Sequence, residues 1–276
     1  MNHFGYTQSD SKIGMNALVR RYFYEDANFK EVVILSEGPS KEWGEIRPLF
    51  PAFPRGWFEL SRIPPEDRIE FTKSFWLRRL PFHPKTHQAI SDFFSSLDDV
   101  GVVLSKEKDV WEPQLVYSFY DNSCFFRGLM PAYENQIDEL RNELDVPFPG
   151  DWIAFSKIHN GFGKLSEMNL IKAQDIPDAR RRIIEIILKS IHPIKSGAAI
   201  VDPGSLIPFF EASGLSSFQC FYIDWYPESE MGNVYFSGID YTVSDVSKRE
   251  LWNDNGAFAT FLEWLASYLA GQEITL

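Results

Sequence analysis

Residues 148–163, Phe-Pro-Gly-Asp-Trp-Ile-Ala-Phe-Ser-Lys-Ile-His-Asn-Gly-Phe-Gly, constrain the fold more than any other stretch of the 276-residue chain. A proline opens a short helix, because its missing N–H is one of the unpaired donors of the first turn anyway. Asn160-Gly161 closes it, because glycine takes positive φ without strain. Asp151 is placed to cap the first free N–H groups, and Trp152 and Phe155 share the buried face. The segment reads as a corner where a helical pair hands over to a sheet. It holds no nucleophile with its base and no metal cage. Its glycines follow a helix, whereas a phosphate-binding loop follows a strand and precedes a helix. His159 reads as a cap for the last carbonyls rather than a catalytic base, since no Ser or Cys elbow accompanies it. The corner points to a binding module and not to an enzyme.

The elements on either side follow from periodicity. Residues 1–12 are polar and expected to be mobile. Residues 17–24 and 32–35 read as strands or as a helix–strand pair. From Lys41 to Pro65 the chain is dense in Trp, Phe and Pro, and the repeated prolines predict an extended segment packed by its aromatics. Pro64-Pro65-Glu66-Asp67 starts a helix running to about Leu80. Pro84 starts another, with Ile90, Phe93, Phe94 and Leu97 at helical spacing. Strands are expected at 100–104, 115–120 and 124–127, the last two joined by a turn at Asp121-Asn122. After a boundary at Gly128–Ala132 come a helix through Ile137, Leu140 and Leu144, the corner helix, a strand over 165–172, and a helix capped by Asp175. Five strand-like runs between 198 and 246 follow. A last helix carries Phe258, Phe261, Leu262, Leu265 and Leu269, with Asp254 and Asn255 as caps. Consecutive strands with short connections favour an antiparallel sheet, and helices segregated from strands give an α+β class.

The charge is uneven. Residues 1–130 hold 16 Lys+Arg against 18 Asp+Glu, a net of −2; residues 131–276 hold 11 against 21, a net of −10. An acidic half is a poor nucleic-acid binder, because phosphate neutralisation needs cations. It suits solubility, or attraction of a basic protein. Two cysteines, Cys124 and Cys220, make no disulfide framework, and free buried thiols fit the cytoplasm. No signal segment is expected from the opening Met1-Asn-His-Phe-Gly-Tyr. The longest aliphatic run, Ile183 to Ile191, carries Glu185 and Lys189 and is too short to span a bilayer.

Candidate chemistry is sparse. His83 and His87 stand four apart, but no third ligand lies at a useful local spacing, so a cap and a surface histidine are the better reading. Arg180-Arg181-Arg182 spreads around a helix and is expected to pair with nearby acids. The acids of the C-terminal half offer more. Asp224, Glu228, Glu230, Asp240 and Asp245, with Glu250 and Asp254, are a solvated face or a docking surface for a basic partner, and Trp225 and Tyr226 are candidate aromatic anchors. A hydrolase using paired carboxylates of the sheet is the alternative.

The order of motifs resembles the SUKH superfamily. The residues that carry the resemblance are Phe148-Pro149, Trp152, Phe155 and Asn160-Gly161, then Leu206-Ile-Pro-Phe-Phe, Phe221-Tyr-Ile-Asp, Gly232-Asn-Val-Tyr-Phe and Phe261-Leu262. The likeness covers about residues 131–271. It implies an α+β domain with a curved, mainly antiparallel sheet packed with helices. The superfamily includes fungal regulators of cell-wall glucan synthesis and many bacterial immunity proteins that neutralise toxin domains, acting by protein binding and not by catalysis. Two parts are expected: an α+β extension of unknown role over 1–130 and a SUKH-like domain over 131–276. The expected function is a cytoplasmic, non-catalytic protein-binding module, of immunity or regulatory type. No cofactor, metal, membrane span or direct nucleic-acid contact is expected, and the partner is a protein, with a basic toxin domain as the leading class. Pro149, Trp152, Phe155, Asn160 and Gly161 are structural within this reading.

Overall fold

The computed structural model describes residues 15–37, 42–165, 167–212 and 214–271; the segment 1–12 lies outside the described residues. The leader opens as a helix–strand pair. Asn16 caps α1 (Ala17–Arg21), its Oδ1 accepting from the Val19 N–H at 3.1 Å, and β1 (Glu31–Ile34) follows. Two short helices, α2 (Trp43–Ile46) and α3 (Arg55–Leu60), stand where an extended segment is predicted. Pro48 and Pro51 fall between them, and Pro54 is the N-cap of α3, so no helix interior loses a hydrogen bond. α4 (Pro65–Arg79) and α5 (Pro84–Ser95) start at the expected prolines.

Leu97, predicted on the face of α5, instead begins β2 (Leu97–Glu107), which forms a long hairpin with β3 (Val110–Phe119). Glu107 pairs with Val110 across Lys108 and Asp109, whose φ values are 47° and 69°. Two central residues with positive φ make the turn whose twist matches that of the strands. It carries neither Asn nor Gly, which is why the sequence does not announce it. β4 (Phe125–Leu129) follows through residues 120–124, a longer connection than the expected two-residue turn; Asn122 takes the positive-φ position and Asp121 Oδ1 accepts from the Ser123 N–H.

The second half supplies α6 (Glu134–Leu144), α7 (Gly150–Ser156), β5 (Phe162–Lys164) and α8 (Ile176–Ile187). A two-residue pair, β6 (Lys195–Ser196) and β7 (Ala199–Ile200), precedes the strands β8 (Leu206–Ala212), β9 (Ser217–Tyr222), β10 (Asn233–Ser237) and β11 (Thr242–Val243). α9 (Phe261–Leu269) closes the chain's described part. Its cap is Thr260, whose Oγ1 accepts from the Glu263 N–H at 3.2 Å, and not Asp254 or Asn255. The helix starts late because Phe258 first pairs with Asn233 in strand fashion, N–H to carbonyl at 2.9 Å. The predicted strand over 165–172 is likewise shorter: Leu165 turns with φ 56°, and Leu170 makes only a bridge.

That bridge joins the molecule. β1 to β5 form a five-stranded sheet in chain order, and β11-β10-β9-β8 a four-stranded one, all paired antiparallel. Leu170 pairs with Phe162 of β5 on one side and Phe210 of β8 on the other. The leader's four strands therefore extend the sheet of the second half through the β4–β5 pairing, and the class is α+β.

One apolar core crosses residue 130. Trp76 of α4 is fully buried and meets Phe155 of α7 edge-on at 5.3 Å and Phe162 of β5 at 5.7 Å. Phe126 of β4 stacks on Phe162 at 5.4 Å. Buried Thr86 of α5 donates its hydroxyl to the Leu262 carbonyl of α9 at 2.9 Å. A large apolar side chain taken out of water contributes on the order of 1.5–3 kcal/mol, so these contacts weigh heavily against a total stability of about 5–15 kcal/mol.

Candidate protein-interaction surface

The corner motif is a set of structural couplings. Trp152 is fully buried between Phe148, at 4.9 Å, and Phe221, at 6.0 Å. Phe155 also packs on Phe162 and Phe261. Pro149 is the N-cap of α7. Asn160 Oδ1 accepts from the Ala173 N–H at 2.7 Å, and its Nδ2 donates to Gln174 Oε1, so the amide holds the turn into α8. Gly161 has φ 113°, a conformation that L side chains resist, and its carbonyl accepts from the Leu129 N–H of β4.

Asp151 does more than cap its own helix. Its Oδ1 accepts from the Trp152 N–H at 2.8 Å and its Oδ2 from the Leu262 N–H at 3.0 Å, in the first turn of α9. One carboxylate thus ties the starts of two helices that lie 111 residues apart. Burial pushes its carboxyl up to about 6, against the pull of those two N–H groups, and the charge of Glu230 pushes the same way. The folded state therefore holds the proton more tightly than the unfolded chain, whose value is near 3.8. Stability from this site is complete below pH 4 and is lost as pH rises through 6. At about 1.4 kcal/mol per unit, the isosteric Asp151→Asn protein should gain roughly 3 kcal/mol on the parent between pH 3.5 and 7.5. Urea unfolding across that range reads the change; a constant difference would contradict it.

His159 is not the helix cap that the sequence implies. It lies beyond α7, fully buried and stacked on Phe162. Its Nδ1–H donates to the Leu129 carbonyl at 2.8 Å, which leaves Nε2 to accept from the Tyr117 hydroxyl at 2.6 Å. Burial lowers its pKa to about 4 and raises that of the Tyr117 phenol, so both stay neutral at pH 7. Tyr117 sits 42 residues upstream, and nothing local in the sequence signals the pair. His83 caps α5, its Nδ1 accepting from the Thr86 N–H. The triplet Arg180, Arg181, Arg182 is engaged by the Gly204 carbonyl, by Asp178 and Glu143, and by Glu211 respectively. Among the described residues no group of three or more His, Cys, Asp or Glu side chains is arranged to hold a metal ion. No described helix is long and apolar enough to cross a membrane.

The acidic candidates divide. Asp224, Tyr226, Glu228 and Glu230 are exposed on the connection from β9 to β10. Trp225 belongs to the same loop, but it is half-buried and meets Trp252 edge-on at 4.9 Å, so it anchors the loop rather than offering a free face. Its ring lies over Gly232, where a Cβ would stand 2.4 Å away, and the Gly232 N–H donates to the Trp225 carbonyl. Glu228 pairs with Arg249 at 2.8 Å, which fixes the loop to the segment after β11. Asp245 serves that segment: half-buried, it accepts from the Ser247 N–H, and hydrogen bonds from Ser247 hold its carboxyl below the usual range. Asp240 stands apart. It accepts from Ser237 Oγ in the β10–β11 turn, and because β10 runs antiparallel to its neighbours that turn lies at the opposite end of the strand from the 224–230 loop. The candidate docking residues that share one loop are therefore Asp224, Tyr226, Glu228 and Glu230; Asp245 lies in the segment after β11, and Asp240 in the turn at the other end of β10. Alternation of turns between the two ends of a meander could have separated Asp240 from sequence alone.

A search of curated proteins finds no match to the chain. A family model, that of the SMI1 / KNR4 family (SUKH-1), matches residues 131–264, the span that begins at the end of β4 and ends in the first turn of α9. Residues 131–264 of the chain belong to the SMI1 / KNR4 family (SUKH-1) and supply the second half of a larger α+β fold.

Proposed function

We propose that this protein is a non-catalytic binding module of immunity or regulatory type, whose β9–β10 loop engages a basic surface of a protein partner in the cytoplasm. SUKH proteins are often immunity or regulatory proteins. The observation that carries the reading is the built loop: the exposed carboxylates Asp224 and Glu230 and the half-exposed Tyr226 stand on a connection tethered to residues 249–252 by Trp225 on Trp252 and by Glu228 on Arg249. A preorganised loop loses little entropy on binding, and tyrosine is a favoured interface residue. The leading partner class is a basic toxin domain.

The alternative is a hydrolase using acidic residues of the sheet; of its candidates, Glu228 is paired with Arg249, and Asp240 lies at the opposite end of β10 from the 224–230 loop.

The test is binding of the full chain to a basic toxin domain, taken from the gene's neighbourhood if one is encoded there, measured by calorimetry against salt. Asp224→Lys with Glu230→Lys should weaken the complex at least tenfold, since like charges across an interface cost several kcal/mol, and the parent's affinity should fall as ionic strength rises. An affinity indifferent to both changes would remove this loop from the interface.

A further inference from the structure

The outer face of α4 is complementary to itself when reversed. Its inner side buries Arg68, Thr72 and Trp76. On the other side Asp67, Phe71, Ser74 and Arg78 follow at i, i+4, i+7 and i+11, a spacing that keeps them in one stripe about 60° wide. Asp67 and Arg78 are exposed, Phe71 is 54% exposed, and Ser74 is half-buried. Phe75 flanks the stripe, with the Arg79 guanidinium over its ring at 5.3 Å. Among the described residues the ion pairs of α4 are Arg68 with Asp99 and Lys73 with Glu70. The charges at the two ends of the stripe are left without a counter-charge there: Arg78 Nε donates to the Ser74 carbonyl of its own helix. The stripe thus runs from an unpaired acid through an exposed aromatic ring to an unpaired base.

We propose that α4 docks on α4 of a second copy of this chain, antiparallel about a two-fold axis that passes between Thr72 and Lys73. Asp67 and Phe71 precede that axis by as many residues as Arg78 and Ser74 follow it. Asp67 therefore meets Arg78 of the second copy, and Phe71 meets its Ser74, each contact being made twice. The serine leaves room for the ring. A two-fold of this kind keeps each flank on its own side, so Phe71 also reaches Phe75 of the second copy. Antiparallel helices set the positive end of one dipole beside the negative end of the other. Charge complementarity names the occupant: every feature of the stripe finds its complement in the same stripe turned end for end, the condition for an isologous contact. The 15-residue helix is about 22 Å long. One such helix against its copy lies below the roughly 1,200 Å² at which standard interfaces begin, so the dimer is transient. The proposal stands apart from the reading of the 224–230 loop.

Sedimentation equilibrium of the full chain, from about 5 to 500 µM, tests it. The parent should pass from monomer toward dimer over that range, as a contact of this size implies, and added salt should return it to monomer. Asp67→Arg and Arg78→Asp, both at exposed positions, should each weaken self-association at least tenfold, because like charges then face each other. Mixed together, these two single variants should pair about as tightly as the parent, since two arginines of one chain meet two aspartates of the other. The double variant Asp67→Arg with Arg78→Asp should likewise recover self-association, a gain that damage to the fold does not produce. Phe71→Ser should remove the dimer. A parent that is still monomeric at about 500 µM would overturn the proposal. So would a dimer that Phe71→Ser and the single reversals leave intact, or single variants that circular dichroism shows to be folded and that stay apart when mixed.

Discussion

Expressed without its first 130 residues, the segment 131–276 should fail to give a cooperative unfolding transition, although it contains the whole family match. The reason is in the pairing and the packing. β5 would lose β4, its hydrogen-bonded neighbour on one side, with the register Phe126↔Lys164, Arg127↔Gly163 and Gly128↔Phe162. Phe155, His159 and Phe162 would lose Trp76, Tyr117 and Phe126, and three fully buried groups would face water. Thr86 would no longer reach the Leu262 carbonyl. Each exposed large side chain removes on the order of 1.5–3 kcal/mol, and the whole domain is held by about 5–15 kcal/mol. Near-ultraviolet circular dichroism and urea unfolding of the fragment decide the matter; a sharp transition like that of the intact chain would contradict the expectation.

The next largest effect is expected at Arg68 and Asp99. Both are buried, and Arg68 Nε and Nη2 donate to the two Asp99 oxygens at 2.8 and 2.7 Å. Arg68 Nη1 donates to the Ile63 carbonyl as well. The pair fixes α4 against the start of β2, where a register shift between Leu97 and Asp99 turns the carboxylate inward. Removing one partner leaves a buried charge without its counter-charge, which costs about 3–5 kcal/mol. Asp99→Ala and Arg68→Ala should each lose that much by urea unfolding. The double replacement Arg68→Met with Asp99→Leu should lose far less, because two buried ions exchanged for packed hydrocarbon is close to neutral. A double variant as unstable as either single one would show that the pair is not the source of the loss.

How far the chain can be read without coordinates depends on the range of the forces involved. Proline starts, glycine stops and i, i+3, i+4 apolar spacing are local, and the helices at Pro65, Pro84 and Gly150 follow from them. Antiparallel pairing follows from short connections. The family order of residues 131–264 is legible for the same reason. The β2–β3 hairpin is not, because Lys108-Asp109 adopts positive φ under the constraint of the paired strands and not through its own preference. Asp151 is read correctly as taking an N–H of its own first turn, but its second partner, Leu262, is missed, and His159 is given the wrong partner, since Leu262 and Tyr117 come from elements that only the tertiary fold brings near. On the candidate surface, exposure and acidity of the 224–230 loop are readable. That Trp225 turns inward to Trp252, and that Asp240 sits at the far end of β10, depends on packing and topology.

Continuity of structure across residue 130 is the central claim, and native-state hydrogen exchange of the intact chain tests it most directly. Amides of β3 in the leader and of α7 and β5 in the family segment should share one highest opening free energy, equal to that of global unfolding, because a single cooperative unit opens as a whole. Two separate plateaus, one for each side of residue 130, would contradict it.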